Sequence, residues 1–187
     1  NNKISINRFT LPNHKNRILD QSKAFFLFSL YVQKFIFKKK WDIVVATSGR
    51  LMTASLATLV AKQTSAKLYL DIRDLFTDTM NNILKKNPLR IIMPIFSLLE
   101  KWCFHSADKL NIVSTGFLDY VKKVAPDLSP SVYTNGVDDI FLKNTFSNNQ
   151  TKKNPQVLYV GNIGDGQGLE KIIPQAANDL KDIDFKL

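Results

Sequence analysis

Four of the chain's seven glycines stand close together, in a pattern typical of a loop that binds phosphate. They are Gly161, Gly164, Gly166 and Gly168, between an apolar run and a segment with helical spacing. Glycine lets the backbone turn sharply and lets a ligand approach main-chain N–H groups, while the start of a helix offers unpaired donors and a positive dipole end. The spacing differs from the dinucleotide-binding pattern G-x-G-x-x-G. We predict phosphate binding here; the alternative is a tight strand-to-helix connection without a ligand.

A second group of polar residues ends a predicted strand, at Asp71-Ile72-Arg73-Asp74. Two carboxylates and an arginine can supply a general base, a ligand for an acceptor hydroxyl and an orienting ion pair. The alternative is structural, with Asp74 beginning a turn and Arg73 forming a local salt bridge. The strand-end position favours function, because ligands of parallel α/β sheets bind beyond the carboxyl ends of the strands. Thr47-Ser48-Gly49-Arg50 and Ser114-Thr115-Gly116 occupy two further strand ends.

The elements that must position these groups alternate along the chain. Strands are predicted over residues 42–48, 67–72, 108–114 and 132–134. Helices are predicted over residues 51–62, 88–107 and 115–125, with a polar turn before residue 88 and a kink at Pro94. This alternation predicts an α/β fold with a parallel sheet and helices on both of its faces.

The α/β pattern stops and then restarts late in the chain. Residues 143–155 are rich in Asn, Lys, Thr and Ser, which predicts a linker. Beyond it we predict a strand over 156–160, a helix over 169–180 and the start of another strand over 184–187. The chain is therefore predicted to hold one domain over residues 1–142 and the truncated start of a second over 156–187.

The positive charge lies in the first half of the chain. Residues 1–100 hold 16 basic and 6 acidic residues, whereas residues 101–187 hold 10 of each, so the first part carries the whole excess of +10. Six of the 13 phenylalanines fall within residues 9–37, and Lys38-Lys39-Lys40 follows them. An amphipathic helix of this composition suits an anionic membrane surface. The alternative is a core-facing helix whose terminal lysines favour its C-terminus. A nucleic-acid partner is not predicted, because no binding motif occurs.

Several kinds of chemistry lack support in the sequence. No stretch approaches the roughly 18 uncharged apolar residues of a membrane span. Neither His14 nor His105 has a companion at metal-ligand spacing, and Cys103 has no partner in a C-x-x-C motif. A Walker P-loop and a G-x-S-x-G elbow are also absent. We therefore predict no metal and no other cofactor, and a buried structural role for Cys103.

Three segments, taken together and in order, resemble one enzyme family. They are residues 107–114 (ADKLNIVS), residues 133–138 (YTNGVD), and residues 157–161 (VLYVG) with 167–170 (QGLE). They are similar to segments of the retaining glycosyltransferases with two Rossmann-like domains, family 4 of the GT-B fold. Residues 46–53 and 70–76 narrow the resemblance to the bacterial surface-polysaccharide branch, which includes N-acetyl-fucosamine transferases of O-antigen assembly.

The resemblance implies a fold and a reaction. Residues 1–142 would be the Rossmann-like acceptor domain, the N-terminal half of the GT-B fold without its first strand or strands, and residues 156–187 the first β-α unit of a Rossmann-like donor domain. A sugar would move from a nucleotide diphosphate sugar to an undecaprenyl-linked or saccharide acceptor, with its anomeric configuration kept and without metal. The enzyme would be cytoplasmic and peripheral on the inner leaflet of the cell membrane. This fragment alone is expected to be inactive, because the family's downstream donor motif lies outside the chain.

The resemblance also implies roles for individual residues. Catalysis falls to Asp71 and Asp74, acceptor binding to Thr47, Ser48, Arg50 and Arg73, and donor diphosphate binding to Gly161, Asn162, Gly164, Gln167 and Gly168. Asn162 and Gln167 stand where many relatives place Arg and Lys, and uncharged amides do not neutralise phosphate charge. Asp71 replaces a histidine found in many relatives. Two alternatives stay open: a non-catalytic membrane-docking half of a split glycosyltransferase, and a GT-B-shaped nucleotide-sugar epimerase.

Overall fold

Two separate parallel sheets contain the strands that the structure describes. The computed structural model describes residues 4–11, 18–85, 87–143, 156–161, 167–180 and 184–186. The chain divides into two units, one formed by Asn1–Thr77 with Pro94–Thr134 and the other by Asp78–Met93 with Asn135–Leu187. The linker predicted over 143–155 lies, apart from Lys143, outside the described residues.

The first sheet is built by strands that alternate with helices along the chain. Its four strands pair in parallel in the order β1-β2-β3-β4. They are β1 (Ile43–Ser48), β2 (Lys67–Ile72), β3 (Lys109–Ile112) and β4 (Ser131–Val132). The helices are α1 (Ile18–Ile36), α2 (Leu51–Thr64), α3 (Phe76–Ile83), α4 (Met93–Ser106) and α5 (Leu118–Val124), with 3-10 turns at Pro88–Ile92 and Thr115–Phe117. The predicted α/β class with a parallel sheet is confirmed.

The core of the first unit lies on one face of this sheet. Leu68, Leu70 and Ile72 of β2 are buried there, in one cluster with residues of α2, α4 and α5. Strands that follow one another in a single direction through right-handed crossovers place their crossover helices on the same side. The prediction of helices on both faces is therefore wrong for α2, α4 and α5. On the opposite face of β1, Ile43 and Val45 are 61% and 66% exposed.

The segment between β2 and β3 differs from the prediction in two places. The expected polar turn contains α3, because Phe76 packs edge to face against Phe96 and Thr77 is buried. The long helix expected over 88–107 is instead a 3-10 turn followed by α4. Pro94 is the second residue of α4, where the N–H that proline lacks would have no partner within the helix. The predicted kink at Pro94 is wrong.

Helix α1 packs by one side and exposes apolar side chains on another. Ile36 is buried with Leu56 and Val60 of α2, so part of α1 faces a core. Phe26 and Leu30 point away from that cluster and are 62% and 50% exposed. In the described part of the chain, no helix has the length and apolar character needed to cross a membrane.

The second unit contains a β-α-β arrangement. After α6 (Asp139–Lys143), β5 (Gln156–Leu158) pairs in parallel with β6 (Asp184–Lys186), and α7 (Leu169–Asp179) lies between them in sequence. A strand, a helix and a further strand are thus present where the sequence predicts them over 156–187.

Candidate functional site

The carboxyl ends of three neighbouring strands place three polar side chains in one row. The register of the first sheet pairs Thr47 with Asp71 and Asp71 with Asn111. Residues in register on adjacent parallel strands point to the same face, so these side chains meet. The Thr47 hydroxyl donates to Asp71 Oδ2 at 2.9 Å, and Asn111 Nδ2 donates to Asp71 Oδ1 at 2.7 Å.

Arg73 completes this network from the residue that follows β2. Its Nε lies 2.8 Å from Thr47 Oγ1 and 3.1 Å from Asp71 Oδ2, and it donates to both. The Asp71 side chain is 14% exposed, whereas that of Arg73 is 50% exposed. The network is therefore a shielded carboxylate with a guanidinium at its solvent side.

Asn111 links the network to the end of β4. Its side-chain oxygen accepts from the Tyr133 main-chain N–H at 2.8 Å, and its Nδ2 also donates to the Tyr133 carbonyl oxygen at 3.3 Å. Asn111 is 3% exposed, so these bonds satisfy an amide that would otherwise be costly to bury. Sequence reasoning missed Asn111, although a polar residue within an otherwise apolar buried strand was a usable signal.

The surroundings of Asp71 keep it ionised. Burial raises the pKa of its carboxyl, but hydrogen bonds from Asn111, Thr47 and Arg73, together with the Arg73 charge, outweigh burial and hold this pKa below its ordinary value. A carboxylate of low basicity is a weak general base and a good hydrogen-bond acceptor. The catalytic role implied for Asp71 stays a prediction, and the geometry favours an electrostatic role over proton abstraction.

A cleft opens beside these strand ends. Its enclosed volume is ≈ 10 Å³, about the room that one water molecule needs, and the rest of it is open to solvent. Arg50, Asp74 and Glu100 supply its charged groups, and its apolar lining consists of Leu51, Ala54, Ile72, Phe76 and Phe104. Sequence reasoning selected Arg50 and Asp74 but missed Glu100, whose position on α4 carried no visible motif.

Two contacts define the polar wall of this cleft. Glu100 is 3% exposed and accepts a hydrogen bond from the Tyr120 hydroxyl to its Oε2 at 2.6 Å. Asp74 lies against the turn between β1 and α2, where a Cβ added to Gly49 would come within 3.2 Å of Asp74 Oδ2. Glycine at position 49 therefore lets this carboxylate approach the start of α2.

The structure covers only part of the predicted acceptor and donor residues. Thr47, Asp71 and Arg73 meet in one network, Arg50 and Asp74 line the cleft, and Ser48 ends β1 beside Thr47. On the donor side, Asn162 and Gly164 lie outside the described residues.

The two ends of the glycine-rich loop are described. Gly161 is exposed, and a Cβ there would lie 2.8 Å from the Tyr159 hydroxyl. Gln167 is exposed, and Gly168 immediately precedes α7 with a φ of 63°. That left-handed conformation is strained for residues that have a Cβ, so glycine is favoured at position 168 for a conformational reason. Phosphate binding by this loop stays a prediction.

Neither a metal-binding group among the described residues nor a matching protein indicates what this site does. The described residues contain no group of three or more His, Cys, Asp or Glu side chains placed to hold a metal ion. No protein-family model matches the chain, and no curated protein sequence matches it.

Proposed function

We propose that this chain is the acceptor-side part of a retaining glycosyltransferase of the GT-B fold, with the start of its donor-side domain. The observation that carries the proposal is the network of Thr47, Asp71, Arg73 and Asn111 at the carboxyl ends of β1, β2 and β3, beside an open cleft. Parallel α/β sheets bind their ligands at this edge. The type of reaction, sugar transfer, is taken from the resemblance of the sequence to retaining glycosyltransferases.

The chemistry of the cleft suits a sugar. A sugar ring carries many hydroxyl groups and also apolar C–H faces, so its sites combine polar side chains with apolar and aromatic surface. In the cleft, Asp74 supplies a carboxylate acceptor, Arg50 supplies a donor and Phe76 offers an aromatic ring, whereas Asp71 and Arg73 belong to the strand-end network. On this proposal Thr47 and Ser48 belong to the acceptor side of the site.

The donor side of the proposal rests on the glycine-rich loop. Gly161, Asn162, Gly164, Gln167 and Gly168 would approach the diphosphate of a nucleotide sugar with their main-chain N–H groups, at the start of α7. The acceptor is an undecaprenyl-linked or free saccharide, and no metal or other cofactor takes part.

Sugar transfer by the polypeptide of the complete reading frame tests this proposal. A panel of nucleotide diphosphate sugars is incubated with and without a lipid-linked acceptor extract, and products are followed by mass spectrometry and NMR. We expect acceptor-dependent transfer with the anomeric configuration kept. Asp71→Asn should lower transfer by about a hundredfold, the lower range for losing one electrostatic contact that stabilises the transition state. Product formed without acceptor would instead identify a nucleotide-sugar epimerase.

Membrane docking is a second proposed function, favoured by the exposed side of α1 and the segment after it. Phe26 and Phe37 are 62% and 69% exposed, and Lys38, Lys39 and Lys40 are all exposed beside them. Lys39 Nζ lies 3.6 Å from the centre of the Phe35 ring, which holds part of this charge next to apolar surface. Exposed rings together with basic groups suit the cytoplasmic leaflet.

Vesicle co-sedimentation tests the docking proposal. Each lysine near an anionic surface contributes about 1 kcal/mol, so Lys38→Gln with Lys40→Gln should weaken binding to phosphatidylglycerol-containing vesicles about thirtyfold. The matched control is Lys122→Gln with Lys123→Gln on α5, which removes the same charge elsewhere. Equal losses for the two pairs, or binding to neutral vesicles that salt does not weaken, would contradict docking through this segment.

A further inference from the structure

We infer that the 3-10 turn at Pro88–Ile92 is a second membrane contact of this chain, which places exposed aliphatic side chains at the headgroup boundary of an anionic bilayer. This inference rests on the proposed docking of the chain to a membrane and adds a contact that α1 does not supply. The occupant of this surface is a bilayer with anionic lipids.

The first argument is the exposed apolar surface of the turn. Ile91 is 83% exposed, Leu89 46% and Ile92 37%. Single exposed aliphatic side chains are common on protein surfaces and need no explanation. Several of them in one short turn form a patch, and apolar patches mark contacts with other proteins or with membranes. The turn therefore presents a contact surface.

The second argument is that the local sequence holds these side chains outside. Asn87 precedes the turn, and its side-chain oxygen accepts a hydrogen bond from the Leu89 N–H at 2.9 Å. Pro88 begins the turn, where its fixed φ suits the first helical position. After the turn, Met93 is buried. The aliphatic side chains thus lie on a capped turn that is anchored at its end.

The third argument is the charge around the turn. Residues 79–99 contain three basic residues, Lys85, Lys86 and Arg90, and no acidic residue. Lys85 and Arg90 are both exposed. At a membrane, aliphatic side chains enter the boundary between headgroups and acyl chains, while basic groups beside them remain among the anionic headgroups. The composition of the turn and its flanks matches that arrangement.

The same composition disfavours other occupants of the turn. Lysine is depleted in interfaces between proteins. A two-fold contact with a second copy of the chain would bring the same basic residues of both copies together. Single-stranded nucleic acid stacks its bases on aromatic rings, and residues 88–92 include none.

Fluorescence of a polarity-sensitive thiol label tests the inference on this chain. The label is attached at Ile91→Cys and, in two separate variants, at Phe26→Cys on α1 and at Val137→Cys, a comparably exposed position. Cys103 is buried, and wild type treated with the label measures its background. We expect vesicles that contain phosphatidylglycerol to shift the emission at positions 91 and 26 to shorter wavelength and to leave position 137 unchanged.

Vesicle co-sedimentation measures the contribution of the turn. Leu89→Ser with Ile91→Ser should weaken binding about tenfold or more, because two aliphatic side chains no longer enter the bilayer. Arg90→Gln should weaken it about fivefold, since one basic group near an anionic surface is lost. The matched control is Val137→Ser with Ile172→Ser, which removes two exposed aliphatic side chains elsewhere.

The outcomes separate this inference from docking through α1. A label at position 91 that stays in water while position 26 shifts overturns the inference and leaves docking through α1 in place. Equal binding of the Leu89→Ser, Ile91→Ser variant and its control also overturns it, as does a shift at position 91 that needs only a higher chain concentration, which would identify a second copy as the occupant. A shift at position 91 without one at position 26 supports the turn and contradicts docking through α1. No shift at either position contradicts both.

Discussion

Replacing Asn111 with aspartate turns the central hydrogen bond of the strand-end network into a contact between two carboxylates. Asn111 Nδ2 lies 2.7 Å from Asp71 Oδ1, and in the variant a carboxylate oxygen takes the place of that donor. Two carboxylates this close cannot both ionise, so one of them keeps a proton and the pair titrates with a raised pKa. The variant therefore changes the charge of the site while keeping its shape.

The cost of this replacement depends on pH. In the unfolded chain an aspartate titrates near pH 3.9, so holding one proton in the folded state costs about 1.4 kcal/mol for each pH unit above that value and about 4 kcal/mol at pH 7. Because the folded state raises the pKa of this carboxyl group above its unfolded value, the variant loses more stability as pH rises. The gap between wild type and Asn111→Asp should therefore be small near about pH 4 and widen toward pH 7.

Urea unfolding followed by tryptophan fluorescence at several pH values measures the gap. Asn82→Asp, at an exposed position of α3, is the control and should show no such slope. The double variant Asp71→Asn with Asn111→Asp restores one amide beside one carboxylate and should recover much of the loss. A gap that stays constant between about pH 4 and pH 7, or is below about 1 kcal/mol at pH 7, refutes the reasoning.

Three further predictions concern other parts of the first unit. Gly49→Ala should lower sugar transfer by the polypeptide of the complete reading frame severalfold with little loss of urea stability, because the added methyl group lies 3.2 Å from Asp74 Oδ2 and pushes an exposed side chain aside. Unchanged transfer would remove Asp74 from the site. Cys103 should resist thiol reagents in the native chain and react only on unfolding, because it is buried and burial raises the pKa of its thiol. Hydrogen bonds from Ser55 and Thr58 lower this pKa and the Glu100 charge raises it, but burial has the largest effect. Rapid reaction of the native chain would contradict this prediction. Lys67→Met should raise the pKa of Asp108 toward its ordinary value in an NMR titration, because the hydrogen bond from Lys67 is the main cause of the lowered pKa. An unchanged titration of Asp108 would show that the Lys67–Asp108 pair does not form in solution.

The sequence predicted the parts of the site that depend on strand position alone. Thr47, Asp71 and Arg73 follow apolar runs, and the shared edge of a parallel sheet brings such residues together without knowledge of the packing. The same rule located Arg50 and Asp74 in the cleft. Helix α2 was predictable for a similar reason, since the spacing of Leu51 and Thr58 matches the buried stripe that the structure shows.

The remaining features depend on contacts between distant residues. Glu100 and Tyr120 lie 20 positions apart, and their bond follows from how α4 and α5 pack on one face of the sheet. Periodicity shows which side of a helix is apolar but not which face of a sheet receives it, and for that reason the arrangement of α2, α4 and α5 was predicted wrongly. Pro94 was misjudged because the sequence does not show whether a helix begins before or at a proline.

The strand-end network also bears on the lifetime of the folded chain. Its hydrogen bonds join residues 24, 40 and 22 positions apart, from Thr47 to Asp71, from Asp71 to Asn111 and from Asn111 to Tyr133. Contacts that close such long loops form only after the crossovers between the strands are in place, hence late in folding. Their loss should accelerate unfolding while leaving the folding rate nearly unchanged, which stopped-flow kinetics of Asn111→Ala can show. The residues proposed to hold the acceptor would then also determine how long the native sheet persists.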